Sequence, residues 1–170
     1  MKKILLLATT LFISLTILVG CSLSNTPTSK VEDLFSKYQM LDDDITGQID
    51  DLLETETLTN DQRDRYRKLI ENQYKNLAYE IKDEEIDGDT AIVTVQIEVL
   101  DYRKAINELN TNNTTDFDVL EYNNQKLDKL EKTKEKVAYT LEFTVVKDND
   151  GNWQLSNLSS DDIKKIQGMY

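Results

Sequence analysis

The chain has 170 residues, with 32 acidic side chains against 20 basic ones, a net charge of −12, one cysteine and no histidine. So negative a chain is repelled by nucleic acid, and the lack of histidine excludes histidine-dependent triads and His-ligated zinc. A single cysteine excludes an internal disulfide, so packing must stabilise the fold.

The first 21 residues have the layout of a secretion signal. Lys2 and Lys3 precede an apolar run from residue 4 to residue 19, and Leu18-Val19-Gly20-Cys21 closes it. These last four residues resemble the bacterial lipobox, which is cut before a cysteine that carries a diacylglyceryl group. This predicts a signal peptide over 1–20, cleavage between Gly20 and Cys21, and lipidation of Cys21 with palmitate-type chains. The alternative is a plain membrane anchor with a free thiol.

The predicted location is therefore the cell membrane, with the protein lipid-anchored and facing outside the cytoplasm. Loss of Lys2 and Lys3 leaves 18 basic and 32 acidic residues, a net charge of −14. Residues 21–28 are predicted to be the lipidated cysteine and a tether, and 29–170 a single α+β domain. A fully extended tether reaches only about 25 Å, so the domain is expected close to the membrane surface.

Helical periodicity dominates the first part of the domain. A capping box, Ser29-x-x-Glu32, is predicted to start a helix that ends near a break at Gly47. A short segment with Ile49 follows, and Thr59-x-x-Gln62 predicts the start of the next helix. The Asp42-Asp43-Asp44 run is expected near the end of the first helix. The helix dipole disfavours acids there, which indicates a cation, a basic partner or a solvated helix end.

The periodicity changes to that of strands at about Ala78. Alternating apolar residues from 91 to 99 and from 137 to 145 predict two hairpins, with turns at Asp87-Gly88 and at 148–151. The second turn superficially resembles a calcium loop, but its composition favours a turn. Ser159 or Ser160 is expected to cap a last helix.

A polar segment, 103–136, separates the two hairpins and is predicted to be a helical insertion. It holds a brief helix, a polar tip at 111–115, and a longer helix with a narrow apolar stripe of Leu120, Leu127 and Leu130. Asp128 and Lys132 have the spacing of an ion pair within that helix. The insertion is either a surface crossover or a partner-binding arm.

The order of elements predicts N-terminal helices packed on a curved antiparallel sheet of about four strands. With GDTAIVTVQIEV and FTVVKDNDGNWQL as strand blocks, residues 31–158 resemble small lipoproteins of low-GC Gram-positive bacteria. The resemblance implies a cystatin-like roll of the nuclear-transport-factor type, whose members include enzymes, ligand binders and interaction domains.

In that superfamily the interface between helices and sheet can open into a pocket. Several aromatic residues are expected to face this interface, where core packing is the alternative role. The pocket candidates are Tyr38, Tyr66, Tyr79, Tyr139, Phe143 and Trp153.

No catalytic motif is present, and neither a metal site nor a cofactor is predicted. The leading hypothesis is a non-enzymatic, lipid-anchored domain that binds another envelope component, most simply a protein, and no nucleic acid. The alternative is a binder of a small ligand in the pocket between helices and sheet. A carboxylate-based hydrolase stays open, because 32 acids supply many pairs.

Overall fold

The computed structural model describes residues 25–109 and 118–170. Within these ranges the chain forms the predicted α+β fold, with helices against a four-stranded antiparallel sheet of order β1-β2-β3-β4. The elements are α1 (Pro27–Met40), α2 (Asp43–Glu54), α3 (Asn60–Lys75), β1 (Ala78–Asp87), β2 (Thr90–Leu100), α4 (Tyr102–Asn107), α5 (Val119–Lys132), β3 (Lys136–Lys147), β4 (Trp153–Leu155) and α6 (Ser160–Gln167). Cys21, Gly20 and the polar tip at 111–115 lie outside the described residues.

The sheet has one apolar face. Alternate residues of β2 from Ala91 to Val99 are buried, and the register places Ile81 of β1 and Leu141 of β3 on either side of Val95. Gly88 turns the first hairpin with a φ of 60°, which confirms the predicted turn. The other face of the sheet carries exposed or half-buried residues, and no described helix covers it.

Helix α1 lies across the apolar face and contacts all four strands. Its buried Val31, Phe35 and Tyr38 recur at helical spacing, as predicted. Helices α2 and α3 extend this layer, and the predicted capping box of Thr59 and Gln62 starts α3. The buried hydrophobic residues of all elements form one continuous core.

The start of α1 differs from the prediction. The N-cap is Thr26, not Ser29, and Pro27 occupies the first helical position, where its fixed φ suits a helix and its missing N–H costs nothing. Ser29 is instead the third helical residue, and it completes a capping box with Thr26. The helix therefore starts inside the segment predicted to be a tether.

The predicted break at Gly47 is also wrong. Leu41 ends α1 in a left-handed conformation (φ 53°), and Asp42 caps α2 by accepting a hydrogen bond from the N–H of Ile45 at 3.0 Å. Gly47 lies inside α2. Asp43 and Asp44 occupy the first turn of that helix, where the dipole favours negative charge, so the acidic run needs neither a cation nor a basic partner.

The insertion packs on the domain and does not project as an arm in its described part. Leu127 and Leu130 of α5 are each 1% exposed, while Leu120, predicted to share their stripe, is 49% exposed. Asp128 pairs with Arg65 of α3 and not with Lys132. Helix α5 is thus a structural layer beside α3.

The C-terminal segment follows the prediction closely. Strand β4 pairs with the end of β3, and Ser159 caps α6. Gly168 ends α6 with a φ of 71°, pressed against the carbonyl oxygen of Leu100. Of the helices in residues 25–109 and 118–170, none combines the length and apolar character needed to cross a membrane.

Candidate functional site

The six aromatic pocket candidates do not line one site. Tyr38, Tyr66, Phe143 and Trp153 are buried in the core, while Tyr79 and Tyr139 are half-buried. Burial raises the pKa of the Tyr38 and Tyr66 hydroxyls above the usual range. The four buried residues are therefore part of the protein interior, as the core-packing alternative predicts.

Close aromatic contacts fill the interface between helices and sheet. Phe35 of α1 stacks on Tyr79, with ring centroids 4.5 Å apart, and meets Phe143 edge-on at 5.6 Å. Tyr38 meets Tyr74 edge-on at 4.9 Å. Because these rings occupy the space between the layers, they supply packing energy in place of a ligand surface.

The start of the described chain is fastened to the turn between β3 and β4. The side-chain oxygen of Asn25 accepts a hydrogen bond from the N–H of Trp153 at 2.9 Å, and its amide lies 3.4 Å from Oδ1 of Asn152. One residue into α1, Thr28 donates to Oε2 of Glu84 from both its N–H and its hydroxyl, at 2.9 and 2.6 Å. Any tether must therefore end before Asn25.

The turn between β3 and β4 is a loop organised by the carboxylate of Asp148, as its composition predicts. Oδ1 of Asp148 accepts hydrogen bonds from the N–H groups of Asp150 and Asn152, both at 2.9 Å. The bond from Asn152 is the main cause that lowers the pKa of Asp148 below its usual range. The same turn holds Asn25, so the Asp148 carboxylate organises the place where the N-terminal segment is attached.

The two hairpin turns lie at one end of the sheet, which we call the turn end (residues 87–90 and 148–152). At the other end β2 leads into α4 and α5 leads into β3, and we call this the insertion end (residues 101–108 and 129–136). The 11 residues of β2 separate the two ends. At roughly 3.4 Å per residue the separation is about 35 Å.

A surface depression of about 340 Å³ lies at the insertion end. We call it the lysine depression, and its lining residues are Asp101, Lys104, Ala105, Glu108, Lys129, Lys132, Thr133, Lys134 and Glu135.

Two of the four lysines in the lysine depression are held by carboxylates. Nζ of Lys104 lies 2.5 Å from Glu135, and Nζ of Lys129 lies 2.7 Å from Glu108. The hydrogen bond to Glu135 raises the pKa of Lys104, and the one from Lys129 lowers the pKa of Glu108. Neither Lys132 nor Lys134 forms an ion pair with a carboxylate in the described part of the chain.

A second depression, of about 330 Å³, lies on the face of the sheet that no described helix covers. Its lining residues are Ala78, Tyr79, Glu80, Gln96, Ile97, Glu98 and Ala138, which include one pocket candidate, Tyr79. Glu80 pairs with Lys82, and Glu98 pairs with Lys136 at 2.7 Å. Because both acids are paired with lysines, this surface offers no convergent set of free charges.

The buried polar side chains of the described residues are uncharged. They are Ser29, Gln62, Gln73 and Asn123, and no aspartate or glutamate is buried with them. Gln73 bonds both the N–H and the C=O of Leu100, a structural role. Within residues 25–109 and 118–170 no group of three acids or cysteines has the geometry to hold a metal ion.

Sequence reasoning missed Asn25 and the lysine depression. Asn25 gave no signal, because its partner, Trp153, is 128 residues away in the chain. The lysines did leave one, since Lys129, Lys132, Lys134 and Lys136 fall within eight residues of an otherwise acidic chain. Only the tertiary fold brings Lys129, Lys132 and Lys134 together with Lys104 of α4.

Comparisons with known proteins add no relative. The chain matches no protein-family model, and neither a curated protein nor a solved structure matches it.

Proposed function

We propose that this protein is a lipid-anchored, non-enzymatic domain on the outer side of the cell membrane, which presents its insertion end to another envelope component, a protein. The observation that carries the proposal is the placement of Asn25 at the turn end, opposite the insertion end. The end of the sheet nearest the lipid anchor is thus opposite the end that would contact the partner.

The short distance from lipid to domain sets the orientation. Three residues separate Cys21 from Asn25, and the four Cα–Cα steps between them span at most about 14 Å when fully extended. The turn end would therefore lie next to the membrane, and the insertion end about 35 Å farther along the sheet.

Charge does not attract the turn end to the membrane. Asp87, Asp89, Asp148 and Asp150 surround the two hairpin turns, and Lys147 pairs with Asp89 at 3.1 Å. Anionic headgroups repel such a surface, so in this proposal the short chain to Cys21 alone keeps the turn end near the membrane. The acyl chains, each methylene contributing about 0.8 kcal/mol, would hold the protein to the membrane.

The alternative of a small-ligand pocket has less support. Two of its aromatic candidates, Tyr79 and Phe143, both contact the ring of Phe35. Of the six candidates, Tyr79 is the one that lines either depression described above. The likeness to cystatin-like lipoproteins stays a proposal, and such a fold would not decide between functions.

Lipidation is tested by changing Cys21 to Ala in the full chain. We expect loss of labelled palmitate incorporation and accumulation of the uncut form, while Ser22→Ala, the control at the next residue, keeps both. Membrane-bound, labelled C21A protein would contradict the lipid anchor.

Presentation is tested with a photo-crosslinking amino acid at two exposed positions. Asn107 marks the insertion end and Asp150 marks the turn end. In the intact cell we expect a specific protein adduct from position 107 and lipid adducts from position 150. Protein adducts from position 150 alone would reverse the proposed orientation.

A further inference from the structure

We propose that the lysine depression binds an anionic group, a phosphate or a carboxylate, of a component outside the membrane. The inference deepens the proposed function, on which it rests for the place where the ligand is met, and it names the chemistry that the insertion end would recognise.

The charge of this depression contrasts with that of the chain. The mature protein would carry −14, yet four lysines and three acids line this one surface. An anion is repelled by most of the molecule and attracted here, which directs it to one end. A volume of about 340 Å³ falls at the small end of ligand sites, which span about 300 to 1,000 Å³.

Lys132 and Lys134 are the cations free to bind the anion. Lys104 and Lys129 already pair with Glu135 and Glu108, whereas the other two have no carboxylate partner among the described residues. The dipole of α5 favours lysines in its last turn, which accounts for Lys129 and Lys132. It does not account for Lys134, which lies beyond the C-cap of the helix.

The backbone around the depression is fixed before any ligand arrives. The N–H of Asp101 donates to the carbonyl of Glu135 at 2.9 Å, which joins the end of β2 to the start of β3. Oδ1 of Asp101 accepts from the N–H of Lys104 at 2.8 Å and caps α4. The N–H of Arg103 donates to the carbonyl of Gly168 at 2.8 Å. A preformed site loses little conformational entropy on binding.

The carboxylates limit which anions fit. Glu108 and Glu135 keep Lys104 and Lys129 in place, and they also repel a large anion that spreads across the whole depression. A compact group such as phosphate can contact Lys132 and Lys134 with charge-assisted hydrogen bonds.

The test is a titration of the full chain, in a non-ionic detergent at constant ionic strength, followed by amide NMR signals. The probes are inorganic phosphate, tripolyphosphate and citrate. We expect saturable shifts at the amides of residues 104–105 and 132–134. The double variant Lys132→Ala/Lys134→Ala should weaken binding roughly tenfold, the loss expected from one or two charge-assisted hydrogen bonds.

The matched control is Lys30→Ala/Lys147→Ala, which removes the same charge from α1 and from the end of β3 at the turn end. It should change the affinity by less than about twofold, since only a screened, distant charge is lost. Equal weakening by both double variants would show that bulk charge attracts the probe, and would overturn the site. Absence of saturable shifts with all three probes would overturn it as well. The four substituted lysines are exposed or only partly buried, so each variant is expected to fold. A well-dispersed NMR spectrum of each variant will show that it does.

The probes separate the sources of the anion. Binding of tripolyphosphate but not citrate assigns a phosphate ligand, and the reverse assigns a carboxylate. Shifts of the same amides when the full chain is moved from phosphatidylcholine to phosphatidylglycerol nanodiscs, absent in Lys132→Ala/Lys134→Ala, would assign a lipid headgroup and contradict the ligand's place outside the membrane. Failure of lipid labelling would leave the NMR result intact, so the two proposals fail separately.

Discussion

The Asn25 side chain holds the backbone N–H of Trp153, 128 residues later in the chain, at 2.9 Å. Asn25→Ala should lower the free energy of unfolding by about 1 kcal/mol, because the part-buried N–H of Trp153 loses its partner. Urea denaturation measures the change. Asn72→Ala, on the exposed side of α3, is the control and should cost nothing. If N25A and the parent are equally stable, this hydrogen bond does not help to hold the start of the described chain in place.

Gly168 and Gly47 make opposite predictions for the same substitution. Gly168→Ala should destabilise the fold by more than about 2 kcal/mol, since its φ is 71° and a new Cβ would collide with the Leu100 carbonyl and lie 2.6 Å from Nε2 of Gln73. Gly47→Ala should stabilise it by about 0.5 to 1 kcal/mol, because Gly47 is exposed inside α2 with open space around it. Thermal unfolding compares the two. A stabilising G168A would place the end of α6 elsewhere.

Arg65 joins α3 to α5 through a two-pronged contact. Its guanidinium bonds both carboxylate oxygens of Glu131, at 2.8 and 2.9 Å, and Asp128 at 2.6 Å; the bond to Glu131 is the main cause that raises the pKa of Arg65. Arg65→Lys should lower the free energy of unfolding by about 1 kcal/mol although the charge is kept, because an ammonium group cannot form the two parallel hydrogen bonds to the carboxylate. The measurement is urea denaturation in low and high salt.

A double-mutant cycle of Arg65→Ala with Glu131→Gln isolates the pair from other effects of each change. The coupling energy should shrink in 1 M salt, where screening is strong. A coupling of zero at low salt would mean that other contacts, such as the buried Leu127 and Leu130 and the hydrogen bond from Asn123 to the carbonyl of Thr57, hold α5 in place.

Buried tyrosines should make the fold sensitive to alkali. Burial raises the pKa of Tyr102 to about 12 from its usual value of 10.0, so the folded state binds the proton more tightly than the unfolded state. Its contribution is complete below pH 10 and is lost as the pH rises from 10 through 12. At pH 11 the loss is about 1.4 kcal/mol for this residue.

Tyr102→Phe tests this by urea denaturation at pH 8 and pH 11. The variant should lose about 1.4 kcal/mol less than the parent between the two pH values, and Tyr170→Phe, at an exposed position, should behave like the parent. Identical alkaline losses in Y102F and the parent would show that the Tyr102 hydroxyl reaches solvent.

Much of the architecture could be predicted because it depends on local chemistry. Alternation from Ala91 to Val99 and the glycine at position 88 determine a hairpin whatever the rest of the chain does. Thr59 with Gln62, and Ser159, determine helix starts through hydrogen bonds to their own neighbours. The lipid-anchor prediction belongs here as well, since it depends on residues 1–21 alone and stays a prediction.

The errors arose where two local signals competed. Thr26-Pro27 and Ser29-x-x-Glu32 both resemble helix starts, and α1 begins at the earlier one because Thr28 and Asn25 also bond Glu84 and Trp153. Gly47 resembles a helix break, yet α2 continues through it because Ile45 and Ile49 on either side are buried in the core.

By itself, then, the sequence determined the elements, their apolar faces and the acidic balance, since each of these depends on neighbours in the chain. Only the tertiary structure decided that Asn25 meets the turn at Asp148, that Arg65 joins α5 to the domain, and that Lys104 shares a depression with Lys132 and Lys134. These contacts join residues that are 28 to 127 positions apart. Their formation depends on how the helices and strands pack, which no local pattern of residues encodes.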